Sequence, residues 1–381
     1  MARKKAELLQ EMVDNGLSYD ISMTKAQLMN SLRDHYYFQK NDSFIMLPQI
    51  SPMLCKDAKD YLDYSLEKPW ESQRMKSFFW DNPNWIVEQK LDGARMKFHI
   101  TEDGIRLDSR RISDADYMYK ERTANFPHFS QFSVEKLKPF IGSVFDGEIF
   151  MPVKSINTGA VVTDGYLNST VAVTNSSPEV SRKIQQNYQP CIFYIFDVCN
   201  LYKKYAYRLK FIRDFYSHVS QTEIGEYIKM PLFAVDNKQQ FFERMISEDE
   251  EGIIFKHSGG LYEQGKRSIY QYKLKKFHTA DCFITGFIPG CNSNEGMVGS
   301  LVVSVMKDRE IVEIGAVSGF TDKLRRDISY PSSGRLKSEY YGRVVSVRYQ
   351  ELTKTKRLRH ATLFRWRPDK GVKDCVGDDL K

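Results

Sequence analysis

After residue 48 the chain consists largely of short β-branched and aromatic runs cut by Gly, Asn, Asp and Pro, and these runs form two successive series. The first comprises Trp85-Ile86-Val87, Met96–Ile100, Val144–Phe150, Cys191–Val198, Gly252–Lys256 and Ile269–Leu274. Apolar runs of this length between turn formers are strand signals. One stretch of helical period interrupts them: Asp236–Glu250, carrying Phe241, Phe242, Met245 and Ile246. The pattern predicts a strand-rich α+β domain over residues 46–278. The second series, Phe283-Ile284, Leu301–Val305, Ile311–Ile314 and Arg343–Tyr349, is joined by a Gly-rich turn from Gly286 to Gly299 and predicts a small β-barrel over 279–381. Ahead of both, Leu8, Leu9, Met12 and Val13, then Leu28, Leu32 and Tyr36, recur at helical spacing, the latter group behind a Thr24-x-x-Gln27 capping box. Residues 1–45 are therefore expected to be a short helical segment. Thr163–Gln189, rich in Ser, Thr and Asn, is expected to be an exposed insertion.

Composition narrows the class. With 381 residues, 41% of them hydrophobic and 13% aromatic, the chain can bury cores in two or three domains. No apolar run is long enough for a membrane helix, and the Lys- and Glu-rich start lacks the apolar stretch of a signal peptide. The expectation is a non-secreted protein without membrane contact, cytoplasmic or nuclear. Six cysteines (Cys55, Cys191, Cys199, Cys282, Cys291, Cys375) include no Cys-x-x-Cys pair, against a zinc site or disulfide framework. The formal charge of +7 favours polyanionic partners.

One lysine stands out among the strands. In Glu88-Gln89-Lys90-Leu91-Asp92-Gly93-Ala94-Arg95, Lys90 offers an amine beside residues suited to a nucleotide phosphate, although Asp-Gly between apolar runs is also an ordinary hairpin turn. An amine attacks phosphorus only when neutral, and a free lysine is almost wholly protonated at pH 7. Nearby cations would lower its pKa. Lys273 and Lys275, two apart on an expected strand, share a face and could supply that charge while holding a phosphate. Glu148, within Asp146-Gly147-Glu148, and Glu251, opening Glu251-Gly252, sit at strand ends where carboxylates could hold Mg²⁺. Each is also plain turn chemistry. Phe196 could stack on a purine or belong to the core, and Arg110 could pair with ribose or phosphate oxygens or lie on the surface. Gly260 to Lys266 has P-loop spacing, but Arg267 stands where a hydroxyl residue is needed and a strand, not a helix, is expected to follow.

In order along the chain, Lys90-x-Asp92-Gly93-x-Arg95, Ser109-Arg110, Asp146-Gly147-Glu148, Phe196-Asp197, Glu251-Gly252 and Lys273-x-Lys275 resemble the motifs of the covalent nucleotidyltransferases: ATP-dependent DNA ligases, RNA ligases and mRNA capping enzymes. Toward the C-terminus, Lys354, Lys356, Arg357, Arg359, Arg365 and Arg367 fall together without an acid, interleaved with Leu358, Leu363, Phe364 and Trp366, a stripe suited to a phosphate backbone. Leu358-Arg359-His360 through Arg367-Pro368-Asp369-Lys370 resembles the closing motif of DNA ligases and capping enzymes, and Asp281–Gly286 with Gly296–Leu301 is similar to the start of a DNA-ligase OB-fold. The compact chain is most similar to small virus- or phage-type ATP-dependent DNA ligases.

That resemblance implies a nucleotidyltransferase (adenylation) domain with antiparallel sheets, an OB-fold barrel, and sealing of 5′-phosphate/3′-hydroxyl nicks in duplex DNA by a monomer using ATP and Mg²⁺. It implies Lys90 as nucleophile, Asp92 in the later steps, Glu148 and Glu251 toward metal and ribose, and Phe196 on the adenine face. Glu88 and Gln89 would flank the adenine edge, Arg95 and Arg110 would meet ribose or the nick phosphate, and Lys273 with Lys275 the α-phosphate. Arg367 and Lys370 would orient pyrophosphate. An RNA ligase or mRNA guanylyltransferase, or a noncatalytic OB-type nucleic-acid-binding protein, are the alternative readings.

Overall fold

The computed structural model describes residues 4–25, 27–29, 31–32, 50–63, 65–66, 68–112, 118–130, 132, 134–154, 156, 166–353, 355–377 and 380. It divides into two compact units, Met1–Leu274 and Lys275–Lys381. The strands of the first are β1 (Leu54–Asp57), β2 (Trp85–Gln89), β3 (Ala94–Thr101), β4 (Gly104–Ile112), β5 (Tyr119–Glu121), β6 (Val144–Phe150), β7 (Ile192–Val198), β8 (Ile228–Lys229), β9 (Phe233–Ala234), β10 (Gly252–His257) and β11 (Arg267–Lys275).

They form two sheets, in the orders β5-β4-β3-β6-β7-β8 and β1-β11-β10-β2-β9. Each packs one face into an apolar core. Along β3, Met96, Phe98 and Ile100 alternate into an apolar core with Phe145, Ile149, Phe193 and Ile195 of the neighbouring strands. Val173 and Ile184, from the helices Tyr166–Asn175 and Pro178–Asn187, join that core. The polar stretch expected to be an exposed insertion is therefore a helical pair docked on the sheet over its described part. Its Ser and Thr residues misled because they bond inward: Asn125 donates to Ser181 Oγ at 2.6 Å and Met151 N to Thr170 Oγ1 at 2.9 Å. The second sheet covers an aromatic cluster in which Phe79 stacks on Phe255 with centroids 4.2 Å apart, beside Trp80, Trp85, Tyr272 and Phe242 of the helix Lys238–Ser247.

The sheets are mixed, not antiparallel throughout. β1 pairs with β11, and β7 with β8, in parallel. No hairpin joins either pair, so chain direction is unconstrained there. At the N-terminus, Leu8, Met12, Leu28, Met29 and Leu32 close a small cluster with Ile112, and Thr24 and Gln27 make the capping box: Thr24 N donates to Gln27 Oε1 at 2.8 Å and Gln27 N to Thr24 Oγ1 at 3.2 Å. Tyr36 lies outside the described residues.

The second unit contains β12 (His278–Pro289), β13 (Val298–Lys307), β14 (Glu310–Val317), β15 (Val344–Tyr349), β16 (Glu351–Leu352), β17 (Leu358–Arg359) and β18 (Thr362–Trp366). Five of them form an antiparallel sheet, β14-β13-β12-β15-β18, around Val303, Val305, Ile314, Val345 and Val347. The expected closed barrel is not formed among the described residues. The edge strands β14 and β18 approach through one isolated bridge, Ser318 with Thr362, whereas closure needs a continuous ladder. No described helix is long and apolar enough to cross a membrane.

The faces of the first unit's sheets opposite their apolar cores carry polar side chains, and one of these is costly. Lys97 is fully buried, its Nζ 3.0 Å from the centroid of the Tyr119 ring and without a hydrogen-bond partner among the described residues. Burial lowers its pKa to about 7 against the pull of Asp108. The unfolded chain, with an ordinary lysine near 10.5, thus binds more protons between these values, and stability gains as pH climbs through that window. Lys97→Met should remove this component: urea denaturation at pH 7 and pH 9 is expected to show wild type gaining on the variant as pH rises, and parallel profiles would contradict the assignment.

Candidate active site

Lys90 follows β2 on a short loop, its amide donating to Gly252 O at 2.9 Å at the start of the neighbouring β10. The loop can pass this close to β6 because position 93 is glycine; a Cβ there would strike the Ile149 carbonyl. Gly147 has the same basis, since a Cβ would enter the Phe193 ring. The Lys90 ammonium is paired with Glu251. Burial works to lower its pKa, but Glu251 and Glu148 together outweigh burial and hold it above the ordinary lysine value. That direction is the reverse of the cation-induced lowering expected from Lys273 and Lys275.

Glu148 lies on β6 opposite Arg95 of β3 in the ladder. Burial pushes its pKa up to about 8, against the attraction of Lys90 and Arg95. Arg95 is committed: Nε and Nη2 donate to Asp146 at 2.8 and 2.5 Å, and Nη2 also reaches Met53 O at 2.6 Å. Tyr262 donates to the same Asp146 at 2.6 Å, and Met53 N to Tyr262 Oη at 3.1 Å. The P-loop-like segment thus supplies a buried tyrosine prop, and β11 follows it, as read from the sequence. The Arg95 guanidinium also lies 5.5 Å from the centroid of the Phe196 ring. Phe196 faces away from the apolar core that takes Phe193 and Ile195, so its ring borders the polar layer between the sheets.

Lys256, to which sequence reasoning gave no role, sits on β10 with its Nζ 4.8 Å from the Phe196 centroid and 2.7 Å from Glu88 Oε2. It also donates to the Phe196 carbonyl. Tyr205 donates to Glu88 from the other side. The Glu88 carboxylate is thus engaged inside the protein, and burial raises its pKa. Gln89 pairs with Leu232, donating from its amide to Leu232 O at 2.8 Å. The sequence carried no distinguishing signal for Lys256, because a lysine closing an apolar run reads as an ordinary solvent-facing strand end.

Cys55 of β1 marks the centre of the cluster. Arg95, Lys256, Lys90 and Lys273 all act electrostatically on its thiol, whose pKa burial nevertheless raises. Lys273 is paired across β1 and β11 with Asp57, 4.0 Å from its carboxylate. Asp92 is half-buried on the Lys90 loop; Arg110 is exposed at the end of β4, within electrostatic reach of Arg95 and Glu148. Lys275 ends β11 and opens the second unit.

Within that second unit, Arg367 Nη1 and Lys370 Nζ each donate to Asp281 Oδ2 at 2.7 Å, and Arg367 also grips Asp369. Arg357 pairs with Glu313 at 2.9 Å and Arg359 with Glu351. The basic stripe that contains no acid in sequence is thus partly neutralised by carboxylates from other strands; Lys354 lies outside the described residues.

Among the described residues no group of three or more His, Cys, Asp or Glu could hold a metal. Glu148 and Glu251, both acting on Lys90, still fit Mg²⁺, which takes one or two carboxylates and completes its shell with water and phosphate. A dication there would favour the ionised form of Glu148, which burial alone disfavours.

A family model described as the ATP dependent DNA ligase domain matches residues 52–275, and a DNA ligase OB-like domain matches 289–367. A probable DNA ligase of Dictyoglomus thermophilum is 27% identical over 233 residues, covering 58% of this chain and 37% of that protein. A DNA ligase of Nanoarchaeum equitans is 25% identical over 328 residues, covering 76% of this chain and 53% of the relative. The chain thus spans about a third to a half of the length of these relatives. A solved Lig E DNA ligase shares the fold, with a TM-score of 0.53 at 18% identity over 83% of this chain and 99% of that one. Since the first of these domains alone takes in more than half of its residues, the chain belongs to the ATP-dependent DNA ligase family.

Proposed function

We propose that this protein seals nicks in duplex DNA through a lysyl-AMP intermediate. The observation that carries the reading is the Lys90 amine held beside two carboxylates in a layer walled by Arg95, Lys256, Lys273 and the Phe196 ring. Once deprotonated, Lys90 Nζ attacks the α-phosphorus of ATP; a P–N bond forms and pyrophosphate leaves. An oxygen of the 5′-phosphate at the nick then takes the AMP, releasing the amine, and the 3′-hydroxyl finally displaces AMP as the phosphodiester forms.

Phe196, with its ring bordering the layer, stacks on adenine, and Lys256 and Glu88 order that wall from behind. Lys273 neutralises phosphate charge, with Lys275 beyond it on the same strand. Arg110, exposed, is the better of the two arginines for a nick phosphate, because Arg95 is occupied in positioning Asp146 and the chain at Met53. Asp92 assists the later steps, and Arg367 with Lys370 acts on pyrophosphate. Glu148 and Glu251 would hold Mg²⁺, which would supply charge neutralisation at the phosphates.

Incubation of the protein with a nicked duplex, ATP and Mg²⁺ is expected to give a sealed strand, with α-labelled AMP retained on the protein beforehand. Retention of label from GTP alone, or no sealing in the presence of ATP, would overturn the reading.

A further inference from the structure

On the first unit lies a groove of about 620 Å³ lined by Tyr202, Lys203, Lys204, Tyr207, Lys210, Asp214 and apolar neighbours. We propose that this groove binds single-stranded nucleic acid, with bases stacking on Tyr202 and Tyr207 and phosphates meeting Lys203 and Lys204.

Two large rings stand in solvent here: Tyr202 is 81% and Tyr207 64% exposed. An exposed ring on a loose loop would mean little, but this backbone is fixed. Arg208, buried and paired with Asp197, donates to Lys203 O at 2.6 Å and Gly260 O at 2.9 Å. Tyr205 N donates to Gly260 O at 2.8 Å and Ala206 N to Ser258 O at 2.9 Å. The same turn therefore sends Tyr205 and Arg208 inward and presents Tyr202, Lys203, Lys204 and Tyr207 outward. A backbone fixed before a ligand arrives loses little freedom on binding.

Charge decides the class of ligand. Of the three lysines in the groove only Lys210 is neutralised, by Asp214 at 2.8 Å; Lys203 and Lys204 have no carboxylate partner among the described residues. Cations alternating with exposed aromatic faces suit a phosphate chain with unpaired bases, since every base has a face to stack and stacking needs no sequence. A duplex would offer its phosphates to the lysines but hide its bases from the rings. The site needs no adenylate and stands apart from the sealing chemistry.

The test is binding of fluorescein-labelled oligothymidylate to the full chain by anisotropy, with a blunt duplex in parallel. The double variant Tyr202→Ala/Tyr207→Ala is expected to weaken oligothymidylate binding by about tenfold or more, with duplex binding and self-adenylation by ATP retained. Tyr202→Phe/Tyr207→Phe, which keeps the rings, should bind as wild type. Lys203→Ala/Lys204→Ala should lower the salt slope for the oligonucleotide by about 1.4. Wild type failing to bind the oligonucleotide, the alanine pair binding unchanged, or both nucleic acids weakening equally would each overturn the proposal. Self-adenylation distinguishes these results from a misfolded variant and from failure of the ligase reading.

Discussion

Lys90→Ala is expected to leave no AMP-sized mass increment on the protein after exposure to ATP and Mg²⁺, and to reduce nick sealing from ATP by more than about a thousandfold. The neighbouring lysines are engaged elsewhere. Lys256 is engaged with Glu88 and the Phe196 carbonyl, and Lys273 lies beside Asp57 on another strand. A nick supplied with AMP already on its 5′-phosphate should be far less affected, because the amine forms no bond in the last step. An adduct persisting on the variant, located by peptide mass spectrometry at a different side chain, would remove Lys90 from its role.

The second large effect separates stability from activity. Glu148, with a pKa of about 8 in the folded protein against an ordinary 4.5, keeps a proton that the unfolded chain has already lost between these values. Stability therefore falls as pH rises through that window, and above it the full cost of a buried carboxylate is felt. Glu148→Gln should be more stable than wild type at pH 8.5, by about 1–3 kcal/mol, with the difference vanishing near pH 4.5. The same variant should lose roughly a hundredfold or more in self-adenylation, since an amide cannot offer a charged oxygen to Mg²⁺. Thermal melts at the two pH values and a label-transfer assay give both numbers; a variant both active and unchanged in stability would show that Glu148 carries neither burden.

Period and punctuation in the sequence located the strands that hold the site, because β2, β3, β6, β7, β10 and β11 each coincide with an apolar run between turn residues. Lys90, Glu148, Phe196, Glu251 and Lys273 could be named for the same reason: each stands on or beside such a run. What stayed hidden was the polar layer. Arg95, Lys97 and His99 alternate with Met96, Phe98 and Ile100 like a solvent face, yet Lys97 and His99 are fully buried and Arg95 nearly so. Alternation reports that a strand has two unlike faces, not that the polar one meets water. Asp146, Tyr262, Lys256 and Tyr205 were missed because their partners lie 51 to 117 residues away along the chain. The unclosed sheet of the second unit was equally out of reach, since strand count and spacing do not say whether the edge strands pair.

The pairing of Lys90 with Glu251 bears on how this side chain weathers reactive small molecules. Only the neutral amine is a nucleophile, so holding the Lys90 ammonium against Glu251 lowers the fraction open to capture by cyanate, aldehydes or acyl phosphates. Chemical modification at this side chain should accordingly be slower than at an exposed, unpaired lysine.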